Sequence, residues 1–309
     1  MAHIKSSRGR LQRLLADIDG AYAPNTLRAF RADFEEFIRF CEQLGAEALP
    51  AKPETVSKFI DNVTEQKLAS ASIRRKIVSI GSIHRLLELP DSTKAGCVKL
   101  ATRKMHRKLG RACKQAQPIN QDTLAKMIKA CSSNEPTEKL RELRDKVLLM
   151  LAYDTMARRS ELVSLRFEDI DYSQLNAGIY LRKSKVDQEG QGRWLPLSRG
   201  TLQEVGEWQR AIKTNDGFIL RGLSKTVISP SLGSGQVSRI LKRLAEKAGV
   251  PKSISHNISG HSLRIGAAQD WTNKGISLPQ LMVLGGWEKP DTVFRYISKS
   301  RMRLDQINL

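Results

Sequence analysis

The chain has 309 residues, 40% of them hydrophobic, so it can bury a substantial core and is longer than one compact domain usually is. Its 52 Lys and Arg residues against 32 Asp and Glu residues give a formal net charge of +20. This excess predicts a polyanionic partner such as a nucleic acid, with a ribosome-associated or merely basic soluble protein as the alternatives. Four scattered cysteines without a CxxC pair, five scattered histidines and the lack of a long apolar run argue against a structural zinc site and a membrane span, and predict a soluble protein of the reducing cytoplasm.

Helical periodicity organises the first third of the chain. Apolar residues at three- and four-residue spacing follow Pro24, and Gly45 ends this stretch as a C-cap, which predicts a helix. Further helices are predicted after Pro53 and over about 70–89. The last of these presents three adjacent basic residues that cannot all face a core: Arg74, Arg75 and Lys76.

The segment 92–121 contains no acidic residue, although the chain as a whole has 32. Such a depletion predicts a face that meets phosphate groups, whereas a solvated helix usually mixes both signs of charge. With Arg74, Arg75 and Lys76, the predicted DNA-binding residues are Lys99, Arg103, Lys104, Arg107, Lys108 and Arg111.

The pattern changes near residue 117. The stretch 115–118 is typical of an extended linker, because the residue before Pro118 is disfavoured in helical backbone. Beyond it, helices are predicted near 122–131, 140–153, 200–213, 235–248 and 261–274, and two strands, 177–183 and 193–197, flank a polar turn as a hairpin. The sequence therefore predicts a mainly α protein with a small antiparallel β-sheet, divided into a domain of residues 1–114, a linker of residues 115–120 and a domain of residues 121–309.

Five short segments of the second domain carry residues suited to chemistry. Arg158 lies where one helix gives way to the next, with Glu161 one turn later. This arginine either directs its guanidinium at a phosphate or forms an ordinary surface pair with Glu161. Lys185, with Lys183 beside it, follows a strand at the hairpin turn, where a lysine is either a mobile proton donor or a solvated side chain.

The other three segments follow towards the C-terminus. His261 and Arg264 lie three residues apart at the start of a helix, close to backbone amides that favour an anion. Trp287 follows a Gly-Gly turn and could donate its indole N–H, and Tyr296 lies nine residues later on a short helix. Taken singly, each has a packing explanation; the combination indicates a site.

In motif order and spacing, the second domain resembles the tyrosine recombinase (phage integrase) family through Arg158, Lys185, His261, Arg264, Trp287 and Tyr296. The resemblance is clear over about residues 150–300 and weaker over the first domain. The local sequence is most similar to that of the family's Cre-like and Dre-like members. It implies an N-terminal helical core-binding domain and a C-terminal α+β catalytic domain.

The resemblance also implies a reaction that uses no metal, nucleotide or other cofactor. Tyr296 attacks a backbone phosphate and forms a 3′-phosphotyrosyl link, which the 5′-hydroxyl of a partner strand later attacks. Arg158 and Arg264 hold the non-bridging oxygens. His261 and Trp287 donate further hydrogen bonds, and His261 also assists the deprotonation of Tyr296.

The resemblance implies roles for two further residues and leaves two positions of the site with alternative residues. Lys185 protonates the departing 5′-oxygen, and Glu161 orients the basic residues. Arg159 stands where the family usually has an aliphatic residue, so either Arg158 or Arg159 enters the site. Lys183 and Lys185 are likewise close enough that the strand register decides between them, with Lys185 preferred.

The implied partner is double-stranded DNA with paired inverted-repeat half-sites, bound by a homotetramer on two DNA sites with two protomers per site. The residues after Tyr296 are expected to form an oligomerisation tail that docks on a neighbouring protomer. The expected location is the cytoplasm of a bacterial, phage or plasmid host, at the nucleoid. The alternatives are a type IB topoisomerase that relaxes supercoils and a catalytically silent DNA-binding protein on the same fold.

Overall fold

The structure is a computed structural model that describes residues 2–111, 115–132, 138–173, 177–182, 192–224 and 227–298, with side chains from residue 7 onward. The chain divides into two compact units, Met1–Lys114 and Gln115–Leu309. Among the described residues, no helix combines the length and the apolar character that crossing a bilayer requires.

The first unit is built of helices. They are α1 (Ala2–Asp17), α2 (Pro24–Gln43), α3 (Pro53–Glu65), α4 (Ser70–Leu86) and α5 (Gly96–Leu109), with a 3-10 turn at Ser92–Lys94. Helices α2, α3 and α4 confirm the predictions from periodicity, and Gly45 lies just beyond α2 with a φ of 63°. Helix α1 was not predicted, because its buried stripe of Leu11, Leu14 and Leu15 is narrow and lies in a polar, basic stretch.

Aromatic side chains occupy the centre of the first unit. Phe37 contacts both Phe34 and Phe59 edge-on, with ring centroids 5.6 and 5.2 Å apart. Ile80 and Val98 bring α4 and α5 into the same core. Edge-on contacts between rings add specific geometry to the burial of apolar area, which fixes how these helices pack.

Lys76 departs from its prediction as a DNA-binding residue. Its side chain is only 7% exposed, and its Nζ lies 2.5 Å from Glu36 Oε2 and 3.7 Å from Asp33 Oδ1. Asp33 is itself buried, accepts a hydrogen bond from Ser79 and pairs with the exposed Arg75. Because a buried ammonium group needs a compensating charge, Lys76 joins α4 to the carboxylates of α2 rather than facing phosphate.

The second unit combines helices with a small sheet. Its helices are α6 (Gln121–Lys129), α7 (Lys139–Thr155), α8 (Arg159–Leu162), α9 (Arg199–Ile212), α10 (Ser234–Lys247), α11 (Lys252–Ser255), α12 (Ser262–Asn273), α13 (Leu278–Gly285) and α14 (Pro290–Ile297). Its strands are β1 (Ile170–Asp171), β2 (Gly178–Leu181) and β3 (Arg193–Pro196). The fold is therefore mainly helical with a small antiparallel sheet, which confirms the predicted fold class.

The sheet has the antiparallel order β1-β2-β3. Ile179 pairs with Leu195 on its buried face, and Tyr180 pairs with Trp194 on its exposed face. This register confirms the predicted hairpin, whose turn at 183–191 lies outside the described residues. The alternation of buried and exposed residues follows the two-residue repeat of a strand.

Helix α12 is buried along most of its length, with Ser262 to Gln269 all buried. The extended segment before α6 runs along it: the N–H of Ile119 donates to the Ser262 carbonyl at 3.0 Å, and a Cβ at Gly266 would overlap the Ile119 carbonyl. Near the end of α12, Asp270 accepts hydrogen bonds from the Gln121 N–H and the Tyr153 hydroxyl, at 2.7 and 2.6 Å. The hydrophobic period of α12 is correspondingly weak, because neighbours cover it on every side.

Candidate active site

Parts of the second unit that are distant in sequence converge on one basic cluster: the α7–α8 junction, β3, the start of α12, and the stretch from the end of α13 to α14. A small apolar cluster lies beneath them and includes Met156, Leu281 and Val293. Met156 has a φ of 46°, which is uncommon for a residue with a side chain, and its carbonyl accepts a hydrogen bond from Arg264. The junction between α7 and α8 is thereby fixed to α12.

Arg264 is the most deeply buried charged side chain of the cluster, at 1% exposure. Its guanidinium lies 4.2 Å above the Trp287 ring and 5.8 Å from the Tyr296 ring centroid. Burial, followed by the nearby charge of Arg158, lowers the pKa of Arg264 from the usual arginine value. A guanidinium buried in this way beside Tyr296 is costly unless an anion joins it.

Arg158 and Glu161 form the pair that the sequence predicted as one of two alternatives. Arg158 Nη1 donates to Glu161 Oε1 at 2.7 Å, and the backbone N–H of Arg158 donates to Oε2 at 2.9 Å. Burial raises the pKa of Glu161, but the hydrogen bonds and charge of Arg158 outweigh it and the net pKa is lowered. Arg159 is exposed and packs beside Gly260, where a Cβ would lie 2.8 Å from its Cδ, so Arg158 is the arginine paired with Glu161.

Three arginines bind three successive carbonyls at the end of α13. Arg193 donates to Leu284 at 2.9 Å, Arg264 to Gly285 at 2.8 Å and Arg158 to Gly286 at 3.4 Å. The last carbonyls of a helix have no partner within it and carry partial negative charge, so they attract cations. The end of α13 therefore gathers the guanidinium groups of three separate elements.

Trp287 and Tyr296 complete the cluster. Their ring centroids are 5.3 Å apart with a tilt of 51°, and Tyr296 is half-buried. The indole N–H of Trp287 and the Nε–H of Arg264 are buried and have no hydrogen-bond partner among the described residues. Two such donors near the ring of Tyr296 form a site suited to an acceptor with several oxygens, such as a phosphate.

His261 lies just before α12 and is exposed. Its backbone N–H donates to Ser259 Oγ at 3.2 Å. Loss of solvation, followed by the positive charges of Arg264, Arg159 and Arg158, lowers the pKa of His261. The imidazole is therefore neutral at neutral pH and has a free lone pair for a proton.

Helix α14 is held in place through its backbone. Gln269 of α12 donates its side-chain N–H to the Tyr296 carbonyl at 3.0 Å, and Gln115 donates to the Arg295 carbonyl at 2.9 Å. These bonds fix the end of the helix that carries Tyr296, while the tyrosine side chain stays free to face the cluster. Lys183, Lys185 and the segment after residue 298 lie outside the described residues.

Two models of known protein families match the chain, one in each unit. The model of the phage integrase family matches residues 117–303, and the model of the N-terminal SAM-like domain of phage integrases matches residues 12–89.

The chain belongs to the phage integrase family.

It is a tyrosine-type site-specific recombinase, an enzyme that cleaves and rejoins DNA strands. The integrase/recombinase xerD homolog of Selenomonas ruminantium is 27% identical over 299 residues, covering 93% of this chain and 85% of the relative. The recombinase cre of Escherichia phage P1 is 25% identical over 295 residues, covering 90% and 84%. XerD-type and Cre-type recombinases are thus similar to this chain at comparable, low identity.

Solved structures share the fold. The XerH recombinase bound to palindromic difH substrate superposes with a TM-score of 0.69 at 13% identity, over 91% of this chain and 78% of that one. A lambda integrase (75-356) dimer bound to a COC′ core site superposes with a TM-score of 0.68 at 16% identity, over 98% and 99%. The fold of the recombinase therefore extends over both of its units.

Eight of the nine residues predicted to bind DNA are exposed in the first unit, Lys76 being the exception. The charges of Arg111 and of Arg74 both help to lower the pKa of His106, after burial, so basic residues from α4 and from the end of α5 lie around one imidazole. Lys108 is the one of the eight that pairs with α3, at 2.6 Å from Glu65. The exposed residues of this basic surface are Arg74, Arg75, Lys99, Arg103, Lys104, Arg107, Lys108 and Arg111.

Arg193 was missed at the sequence level. In Arg193-Trp-Leu195-Pro-Leu197 the apolar Leu195 and Leu197 alternate with outward residues, so strand geometry assigns Arg193 to their inward side. An arginine at an inward position of a predicted strand is the signal that could have identified it.

Proposed function

We propose that Tyr296 is the nucleophile of the recombinase and that cleavage leaves a 3′-phosphotyrosyl intermediate. The observation that carries this proposal is the position of Tyr296 beside Trp287 and the buried Arg264, next to two buried donors that lack a partner. A free phenol ionises only near about pH 10, so its attack at neutral pH needs positive charge nearby and a proton acceptor.

The arginines supply the positive charge. Arg264 and Arg158 exchange the carbonyls of Gly285 and Gly286 for the non-bridging oxygens of the scissile phosphate, and Trp287 donates its indole N–H to the same group. These donors stabilise the charge that accumulates as the phosphorane forms. Glu161 orients Arg158 through the two hydrogen bonds between them.

Proton transfer involves two other residues. His261 accepts the proton of Tyr296, in agreement with its lowered pKa. Lys185 of the hairpin turn protonates the 5′-oxygen that leaves. Since one phosphodiester is exchanged for a phosphotyrosyl ester, the bond energy is retained for rejoining and the residues of the chain suffice without a cofactor.

The assembly is proposed from the family relationship. A lambda integrase forms a tetramer on a Holliday junction, and XerH is bound to a palindromic substrate. By analogy, four copies of this chain act on two DNA sites, each with inverted half-sites, and the tail after Tyr296 docks on a neighbouring copy. Residues 1–114 form the core-binding domain, 115–120 the linker and 121–309 the catalytic domain of a Cre-type or Dre-type recombinase acting at the nucleoid.

The exposed basic surface of the first unit is assigned to contact DNA. Lysine and arginine residues on one face release condensed counterions from DNA, which gives affinity before any base is read. The eight exposed residues of α4, α5 and Arg111 therefore contact phosphate.

The test is covalent capture. The protein is mixed with sheared DNA of its host and denatured with SDS, and the DNA that stays attached is sequenced. Wild type is expected to hold a recurring inverted repeat, Tyr296→Phe none, and Tyr172→Phe, a matched change at a tyrosine 51% exposed, as much as wild type. An adduct that persists in Tyr296→Phe would assign the nucleophile elsewhere.

A further inference from the structure

Arg193 is a guanidinium of the site to which the mechanism above gives no role. Its Nη1 donates to the Leu284 carbonyl at 2.9 Å, and its Nη2 lies 3.6 Å from Glu161 Oε2. Nη2 is buried and has no hydrogen-bond partner among the described residues. At 3.6 Å the contact with Glu161 is too long for a hydrogen bond, so it acts through charge.

Glu161 connects Arg193 to Arg158. Both of its carboxylate oxygens already accept hydrogen bonds from Arg158, one from the side chain and one from the backbone. Arg193 adds a second positive charge on the Oε2 side, which leaves Glu161 less able to neutralise Arg158. Arg193 therefore keeps the charge of Arg158 available to an incoming anion.

Arg193 also packs against the turn before Trp287. Gly286 has a φ of 60°, and a Cβ there would lie 2.8 Å from Arg193 Cζ. The guanidinium thus supports the turn in two ways, through Gly286 and through the Leu284 carbonyl. The position of the Trp287 indole depends on this turn.

The charges of the described cluster can be compared with those of the reaction. Three guanidinium groups and one carboxylate leave two positive charges in excess. A phosphodiester in DNA carries one negative charge, and the phosphorane formed on attack carries about two. Without Arg193 the excess falls to one, which matches the phosphodiester rather than the phosphorane.

We propose that Arg193 is a positioning residue of the protein's active site. It acts through Glu161 and the Gly286 turn rather than by touching DNA, and it gives the site the second excess charge that favours the phosphorane over the phosphodiester. The inference rests on the proposed role of Tyr296 as nucleophile.

The test uses a synthetic nicked duplex that carries the inverted repeat recovered by covalent capture. Single-turnover cleavage is measured against protein concentration for wild type, Arg193→Gln and Arg193→Lys, with rates referred to the protein that binds DNA. Arg193→Gln is expected to lower the rate at saturation roughly 10- to 100-fold and to change half-saturation less than about twofold. Arg193→Lys, which keeps the charge, is expected to lie within about fivefold of wild type.

The matched control is Arg221→Gln. Arg221 also donates to backbone carbonyls, those of Phe218 and Asp216 at 3.1 and 2.8 Å, and it hydrogen-bonds to none of the described residues of the site. It is expected to cleave like wild type. Equal losses in Arg193→Gln and Arg193→Lys, or a loss confined to half-saturation, would overturn the proposal.

A second substrate separates charge stabilisation from leaving-group protonation. A duplex with a 5′-bridging sulfur at the scissile position has a leaving group that needs no proton. The Arg193→Gln defect is expected to persist on this duplex, and its disappearance would overturn the proposal. Failure of wild type to form any adduct would instead refute the proposed nucleophile, and the inference with it.

Discussion

At His261, solvation and charge act on the proton in the same direction. Partial burial and the charges of Arg264, Arg159 and Arg158 all disfavour the imidazolium form. The pKa therefore lies below the usual 6.5, so the ring takes up its proton in more acidic solution than an unperturbed histidine does. A base of this kind loses its function on the acidic side alone.

We accordingly expect the wild-type cleavage rate to be level around neutral pH and to fall on acidification, at a lower pH than an unperturbed histidine would give. His261→Gln should lower the rate at pH 7 by roughly 100-fold or more and abolish the acidic limb. His256→Gln, at an exposed histidine that hydrogen-bonds to the Lys252 carbonyl of its own helix, should retain the wild-type profile. Single-turnover rates across this pH range decide the matter; an unchanged acidic limb in His261→Gln would assign it to another group.

Residue types and spacing were enough to predict the pairing of Arg158 with Glu161, because both lie on one helical turn. They did not predict that the Gly285 and Gly286 carbonyls bind arginines, since those contacts join residues more than twenty positions apart. Lys76 was assigned to DNA from its neighbours in sequence, whereas burial is decided by the carboxylates of another helix. Charge runs indicate a surface but do not tell which member faces inward.

At the scale of elements, the fit between α12 and the linker depends on a missing side chain. A Cβ at Gly266 would overlap backbone atoms of Ile119 and Asn120, which cannot move as a flexible side chain can. We expect Gly266→Ala to lower the free energy of unfolding of the second unit by about 3 kcal/mol, measured by urea denaturation.

Gly235→Ala is the matched control for this change. Gly235 also lies in a helix, α10, but its Cβ would meet nothing within 4 Å. Alanine is the better helix former, so the variant should be unchanged or more stable by up to about 1 kcal/mol. Equal stabilities of the two variants would mean that the linker does not lie against α12.

The attachment of α14 makes a second prediction about elements. Gln269→Met keeps the approximate shape of the side chain but removes the donor to the Tyr296 carbonyl. We expect cleavage to slow about tenfold with DNA binding unchanged, because the nucleophile loses part of its positioning. Gln203→Met, at an exposed glutamine of α9, should cleave as wild type does. Weaker DNA binding in Gln269→Met would point to a folding defect instead.

Elements with a regular apolar repeat were predictable from it, and the shortest elements were not. Helices α9 and α10 have 14 residues each and repeat their apolar positions often enough to be recognised. Helices α8 and α11 have four residues each and β1 has two, which is less than the periodicity needs. The α7–α8 junction, which the site requires, is therefore the part that periodicity locates least well.

At the scale of the whole molecule, the net charge of +20 governs how DNA binding responds to salt. Affinity should fall linearly on a logarithmic scale as salt rises, and Arg103→Gln should reduce the slope by about 1 through the loss of one phosphate contact. Lys76→Gln should leave the slope unchanged and lower the stability of the first unit, since Lys76 is buried in ion pairs. Titrations of DNA at several salt concentrations measure both; equal slopes for wild type and Arg103→Gln would remove Arg103 from the contact surface.

The sequence predicted a division of the chain from its composition. The boundary between the two compact units, after Lys114, lies within the stretch 92–121 that contains no acidic residue. Their internal packing is a different matter, because it depends on contacts such as that of Ile119 with Ser262. No local pattern encodes such a contact.

The three carbonyls at the end of α13 act as resident ligands of the arginines. Arg158 and Arg264, which we propose hold the scissile phosphate, donate hydrogen bonds to the carbonyls of Gly286 and Gly285. In the proposed reaction a phosphate oxygen therefore takes the place of a backbone carbonyl. A charged acceptor replaces a neutral one, and the number of hydrogen bonds changes little. Selectivity then arises from the charge of the phosphate, so an uncharged methylphosphonate at the scissile position should compete poorly with the backbone carbonyls for the arginines.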